Sequence, residues 1–179
     1  MAIKAFKRYE KKFILNQEQY NNLIPRLLEY MNLDEHCKFG KNYSIYNIYY
    51  DTKNNDVIRH SISKPYYKEK LRLRSYTIPT SLDNNVFLEL KKKINGIVNK
   101  RRVVMKLGEV YEFLEFGKRP ILNDYDNEQV IKEIEYYLSK NQVYPSVYIG
   151  YTRNAFFGKE DRDFRLTFDS EIITRRHDL

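Results

Sequence analysis

In Lys70-Leu71-Arg72-Leu73-Arg74 every second residue is a cation and the residues between them are leucines. Extended backbone sends successive side chains to opposite faces, so as a strand this segment carries Lys70, Arg72 and Arg74 together. Two later segments repeat the pattern. In Phe87-Leu88-Glu89-Leu90-Lys91-Lys92-Lys93, Glu89, Lys91 and Lys93 oppose Leu88 and Leu90. In Lys100-Arg101-Arg102-Val103-Val104-Met105-Lys106, Lys100, Arg102 and Lys106 oppose Val103 and Met105. Between Lys64 and Lys106 twelve Lys and Arg meet only Glu69, Asp83 and Glu89, a local net charge of +9 in a chain of net charge +8. The plainest reading is the wet face of an antiparallel sheet. Such a face, however, ordinarily mixes Thr, Ser, Gln and both signs of charge, because like charges stacked across strands destabilise. Cations at every second position therefore call for a polyanion or a set of carboxylates. The chemistry they suit is the gripping of phosphate, with Arg forks binding oxygens bidentately and Lys supplying point charge.

The elements that must hold these side chains follow from periodicity. Strands are expected at Lys7–Leu15, Tyr43–Asp51, Tyr67–Tyr76, Val86–Lys93, Ile97–Lys106, Ser146–Ala155 and Arg162–Ile173, with a short piece at Val57–Ile62. The first places Arg8, Glu10 and Lys12 on one face, although Lys11 interrupts the other. In Asp163-Phe164-Arg165-Leu166-Thr167-Phe168-Asp169 the odd positions are polar and the even ones apolar. Gln17–Met31 has a helical apolar stripe of Leu23, Ile24, Leu27, Leu28 and Met31, which Pro25 is expected to kink. Glu109–Phe116 and Asp126–Lys140 also read as helices, the latter through Val130, Ile131, Ile134, Tyr137 and Leu138. About eight strands and three helices, with neighbouring strands joined directly, predict an α+β fold with a mainly antiparallel sheet. Curled into a barrel with the charged face inward, that sheet would form a cationic tunnel.

Composition narrows the alternatives. The 179 residues are 42% hydrophobic, with 17 Tyr and 10 Phe against 6 Gly, which suits aromatic-lined strands and a real core in one domain spanning 1–179. No apolar stretch approaches the ~20 residues of a spanning helix. The start, Met1-Ala2-Ile3-Lys4-Ala5-Phe6-Lys7, lacks the apolar run of a secretory signal, so a cytoplasmic location is expected. Cys37 is the single cysteine, which excludes an intrachain disulfide and a Cys-based zinc site. His36, His60 and His177 have no ligand spacing, and neither a phosphate-binding glycine loop nor a dinucleotide fingerprint occurs. Phosphate would have to be held by side chains. A nucleic-acid partner fits the basicity and the tyrosines, but few aromatics interleave with the cations.

Seven segments occur in an order that resembles the vacuolar transporter chaperone (VTC) domain. They are Arg8-Tyr9-Glu10-Lys11-Lys12-Phe13, Ile48-Tyr49-Tyr50-Asp51-Thr52, Lys70-Leu71-Arg72-Leu73-Arg74-Ser75-Tyr76, Glu89-Leu90-Lys91-Lys92-Lys93, Val98-Asn99-Lys100-Arg101-Arg102, Tyr151-Thr152-Arg153-Asn154-Ala155-Phe156 and Arg165-Leu166-Thr167-Phe168-Asp169. The VTC domain is the polyphosphate-polymerase-like branch of the triphosphate tunnel metalloenzymes, relatives of the CYTH group. The resemblance implies an antiparallel sheet closed into a tunnel, with flanking helices, that binds triphosphate, polyphosphate or a nucleotide beside a divalent metal, Mn or Mg. It implies that Lys12, Arg72, Arg74, Lys91, Lys100, Arg153 and Arg165 grip phosphate. All but Arg153 already stand on the cationic faces; the inward direction of Arg153 rests on the resemblance alone. Glu10 and Glu89 are the candidate metal ligands, with pairing to a neighbouring cation as the alternative for each.

Two departures qualify these expectations. The superfamily opens with Glu-x-Glu-x-Lys, whereas this chain reads Arg8-x-Glu10-x-Lys12, and losing a carboxylate weakens a site for a hard cation. Family members also continue with strands that carry a further Glu and Lys, whereas this sequence ends at Leu179. The expectation is a tunnel incomplete at its C-terminal end, poor nucleotide turnover, and an open edge able to pair with another chain. Two functions remain: metal-dependent phosphoryl transfer to or from polyphosphate, or a non-catalytic module binding polyphosphate or inositol phosphates.

Overall fold

The computed structural model describes residues 10–40, 42–122 and 124–179. The described elements run α1 (Gln17–Tyr30), β1 (Met31–Leu33), a 3-10 turn at Glu35–Gly40, β2 (Tyr43–Asp51), α2 (Asp56–Ile62), β3 (Tyr67–Ser75), β4 (Asn85–Ile94), β5 (Ile97–Lys106), α3 (Leu107–Phe116), α4 (Tyr125–Lys140), β6 (Tyr144–Gly158) and β7 (Arg165–Arg175). The fold is α+β, and every strand pairing with a described register is antiparallel. The strand order is β1-β6-β2-β3-β4-β5 with β7 also on β6, so among the described residues the order is open and nothing joins its ends. The closed barrel expected from the resemblance is thereby corrected to an open antiparallel sheet. No described helix is long and apolar enough to cross a membrane.

Contacts divide the chain into two compact units. Among the described residues, the first takes in the span 46–149 with 174–179, and the second the span 10–45 with 150–173. In the first, β3, β4 and β5 form a continuous ladder with Arg72 opposite Glu89 and Glu89 opposite Arg102. The hairpin between β4 and β5 closes through Asn95-Gly96 at φ 45° and 82°, the paired left-handed conformation that a two-residue turn demands. One sheet face carries Leu71, Leu73, Val86, Leu88, Leu90, Val103 and Met105, all buried. It packs on Val110 and Phe113 of α3 and on Val130, Ile131, Ile134 and Tyr137 of α4. The α4 stripe is the one its periodicity predicts. Asp51 ends β2 and caps α2, accepting from the amides of Val57 at 2.9 Å and Ile58 at 3.0 Å. That capped turn makes Asp56–Ile62 a helix, where the sequence offered only a short unassigned piece.

In the second unit Asn16 caps α1 in a reciprocal box with Gln19, and the helix continues unbroken through Pro25. Tyr20 of α1 meets Phe168 of β7 edge to face at 4.8 Å, and Phe168 meets Phe156 of β6 at 5.9 Å. The strand expected at Lys7–Leu15 does not form where it is described. Residues 10–16 have no regular structure, and Phe13 and Ile14 are exposed. Lys11 breaks their alternation and Phe13-Ile14-Leu15 run consecutively, so no single face exists to bury. The remainder of that strand, including Arg8, lies outside the described residues.

The core of the first unit should respond to truncation by burial. Phe113 is 2% exposed and Phe116, one turn later, 78%. Phe113→Ala is expected to cost about 3–5 kcal/mol in denaturant unfolding, and Phe116→Ala no more than about 0.5. Comparable losses would refute the packing of α3 on the sheet.

Candidate functional site

The face of β3, β4 and β5 opposite the core carries Lys70, Arg72, Arg74, Glu89, Lys91, Lys100 and Arg102. The pairing stacks them in rungs: Lys70, Lys91 and Lys100 lie directly opposite one another, and beside them Arg72, Glu89 and Arg102. Five residues singled out from the sequence, Arg72, Arg74, Glu89, Lys91 and Lys100, thus share one surface of one unit.

Glu89 is the centre of the cluster. It is fully buried, between Leu88 and Leu90 that are equally buried on the other face. Arg72 donates from Nε to Oε2 at 2.7 Å and brings Nη2 to within 2.6 Å of the same oxygen. Arg102 engages Oε1 through both Nε and Nη2, and Lys100 Nζ stands 3.8 Å from that oxygen. Each guanidinium has a second anchor. Arg72 Nη1 donates to the Tyr49 hydroxyl at 3.0 Å, and Arg102 Nη2 donates to the Tyr76 hydroxyl at 3.0 Å while the Arg102 Cζ lies 4.4 Å from the Phe87 ring centroid. Arg74 is buried and donates from Nε to Asn47 Oδ1 at 2.8 Å, and Asn47 in turn donates to the Ile149 carbonyl at 3.0 Å.

Electrostatics follow from this packing. Burial by itself would raise the Glu89 carboxyl, but Arg72, Lys100, Arg74 and Arg102 hold it down at about 2. Lys100 is pushed down to about 8, first by desolvation and then by Arg102, Arg72 and Arg74, with Glu89 opposing. Its side chain is nevertheless 44% exposed, so solvent softens that shift. Arg72, Lys100 and Arg102 thus gather around the Glu89 carboxylate.

Divalent metals take clustered oxygen ligands. Glu89 offers a single carboxylate with both oxygens engaged by cations, and among the described residues no group of three or more His, Cys, Asp or Glu is placed to hold a metal ion. The donor set at Glu89 does not fit Mg or Mn; it fits guanidinium.

The remaining candidates belong to the second unit. Glu10 and Lys12 form an exposed pair at 3.8 Å in the irregular segment. Arg153 on β6 grips Asp169 on β7 with two parallel bonds, of 2.6 and 2.8 Å, and lies 5.2 Å from the Tyr151 ring centroid. Arg165 opens β7 and is exposed. Sequence reasoning missed Arg102 as a site residue, along with Asn47, Tyr49 and Tyr76. Arg102 carried a usable signal, since it alternates with Lys100. The two tyrosines and Asn47 carried none, because only strand pairing brings them to the guanidinium groups.

The family model described as VTC domain matches residues 7–179. A structural neighbour is a Bacillus halodurans protein to which the name adenylate cyclase has been given provisionally. It is 16% identical, with 88% of this chain and 76% of that one covered and a TM-score of 0.49. A comparison with curated proteins returns no match.

The Glu89 network should be visible in acid unfolding. Its carboxyl lies at about 2 in the folded chain against an ordinary 4.5, so its stabilisation is complete above about pH 4.5 and is lost as pH falls toward 2. A shift of this size corresponds to about 3 kcal/mol. Denaturant titrations are expected to show wild type more stable than Glu89→Gln near neutrality, with the gap narrowing through that window. A gap independent of pH would refute the pairing.

Proposed function

The chain belongs to the VTC domain family, and from that premise we propose that the cationic face of β3, β4 and β5 binds inorganic triphosphate or linear polyphosphate. The observation that carries this reading is the register. Lys70, Lys91 and Lys100 are aligned across three strands beside the rung of Arg72 and Arg102, with Arg74 one step further along β3. Like charges so arranged repel, and a chain of phosphates relieves that repulsion along its length. The Arg forks are fixed by Glu89, Tyr49, Tyr76 and Asn47, so they direct N–H groups with little ordering cost on binding. Lys100 and Lys91 add charge with looser geometry.

Where a nucleotide supplies a phosphoryl group, these cations would offset charge spread over the equatorial oxygens of a loose transition state. A second reading, binding without turnover, is favoured by one observation: the buried carboxylate of the face is saturated by cations. Phosphate release or polymer growth from ATP with Mg or Mn distinguishes the two.

Calorimetry with tripolyphosphate tests the binding itself. Heat of binding is expected at low salt, weakening as ionic strength rises because these charges are partly exposed. Arg72→Ala and Arg74→Ala are each expected to weaken binding tenfold or more, since a charge-assisted bond contributes roughly 1.5–3 kcal/mol. Lys92→Ala should leave it unchanged, because Lys92 turns to the core face and is held by Glu133 at 2.9 Å and Glu69 at 3.3 Å. Equal losses in all three would mean that net charge alone matters. A short oligonucleotide should fail to compete; effective competition would favour a nucleic-acid binder.

A further inference from the structure

We propose that Glu89 is a positioning residue for the arginine pair, fixing the directions in which Arg72 and Arg102 donate, in place of the metal-ligand role its sequence context suggested. This rests on the reading of the face as a phosphate-binding surface.

A guanidinium carries five N–H donors in a rigid planar fork. Arg72 commits its Nε edge to Glu89 Oε2 and one Nη1 hydrogen to Tyr49, which leaves one hydrogen on each Nη nitrogen outside these contacts. Arg102 commits Nε and Nη2 to Glu89 Oε1 and the second Nη2 hydrogen to Tyr76, which leaves its Nη1 pair. Each oxygen of one carboxylate thus takes the side-on edge of a different arginine. Neither fork can turn without breaking both of its bonds to that oxygen, and the anchoring tyrosine resists the same rotation.

The backbone makes this possible. Arg72, Glu89 and Arg102 occupy one rung of three paired strands, so the three side chains meet without bending any strand. Glu89 itself is held in place by Leu88 and Leu90, both fully buried in the core on the opposite face. A glutamine in its place would keep the shape, but its amide nitrogen would donate toward one guanidinium, and that fork would lose its acceptor. An aspartate would keep the charge but withdraw it by one methylene, too short to meet both forks.

Two measurements on the whole chain test the proposal. The first follows the Nε–H signals of Arg72 and Arg102 by NMR without ligand. They are expected to exchange slowly with water in wild type, and at least one is expected to collapse to the exposed-arginine position in Glu89→Gln. The second is tripolyphosphate binding in EDTA, where Glu89→Gln and Glu89→Asp are each expected to weaken affinity about tenfold. In an Arg102→Ala background the loss from Glu89→Gln should shrink, because the residue acts through the arginines. Tighter binding by Glu89→Gln would make Glu89 a mere opposing charge and overturn the proposal. So would unchanged binding in EDTA with a loss confined to Mg-containing buffer, the behaviour of a metal ligand. If Glu89→Gln does not fold, Glu89→Asp carries both measurements. Failure of wild type to bind tripolyphosphate would overturn the phosphate reading, whereas unaltered Nε–H signals in the variants would overturn the role of Glu89.

Discussion

Like-charge repulsion across three neighbouring strands is the constraint around which the first unit is organised. Lys70, Lys91 and Lys100 stand opposite one another, and Arg72, Arg74 and Arg102 lie on the same surface. A buried carboxylate is ordinarily costly, because desolvation is repaid only by close partners with good geometry. Glu89 has such partners on both oxygens. The carboxylate and the cations therefore stabilise one another, and neither would be tolerated at this place alone. The core on the far side of β4 is part of the same device, since Leu88 and Leu90 hold the backbone from which Glu89 projects.

The strong positive charge of this stretch is not all directed to one surface. Lys92 and Arg101 turn toward the helices, where Glu133 of α4 takes Lys92 at 2.9 Å and Arg101 at 3.0 Å. Lys106 reaches Asp83 at 3.0 Å near the start of β4. Cations adjacent in sequence thus have different fates according to parity. Lys92 and Arg101 on the helix side meet Glu133, whereas Arg72, Lys100 and Arg102 on the other side gather around Glu89. The make-up of the face opposite the core depends on that parity far more than on the net charge.

Parity was legible in the sequence because alternation between Leu or Val and Lys or Arg has only one extended reading. The same holds for α4, whose apolar stripe is long and regular. What the sequence did not disclose was set by contacts between distant residues. β1 is three residues long and exists through its pairing with Leu33 against Phe156 and its neighbours. The choice between metal ligand and counter-ion at Glu89 depends on what the flanking strands place beside it, and the one-dimensional pattern leaves both open. Arg102 was visible on the correct face, yet its grip on Glu89 emerges only when β4 and β5 are in register. The segment 10–16 shows the converse, a partial alternation that no described partner strand converts into structure.

A division of labour between arginine and lysine runs through both units. Arg72 and Arg102 are oriented by Glu89, Arg74 by Asn47, and Arg153 by Asp169. In each case a planar acceptor meets the Nε edge of the guanidinium, which fixes the whole fork because the group is rigid. Lysine offers no such edge. Lys100 stands 3.8 Å from Glu89 with its side chain 44% exposed, close enough to feel the carboxylate but not held by it in one direction. Arginine is thus placed where direction matters and lysine where charge suffices. Exchanging the two at Arg72 or Arg102 would keep the formal charge of the face while removing the geometry that orders it, since an ammonium cannot give one edge to a carboxylate and a second edge to a ligand.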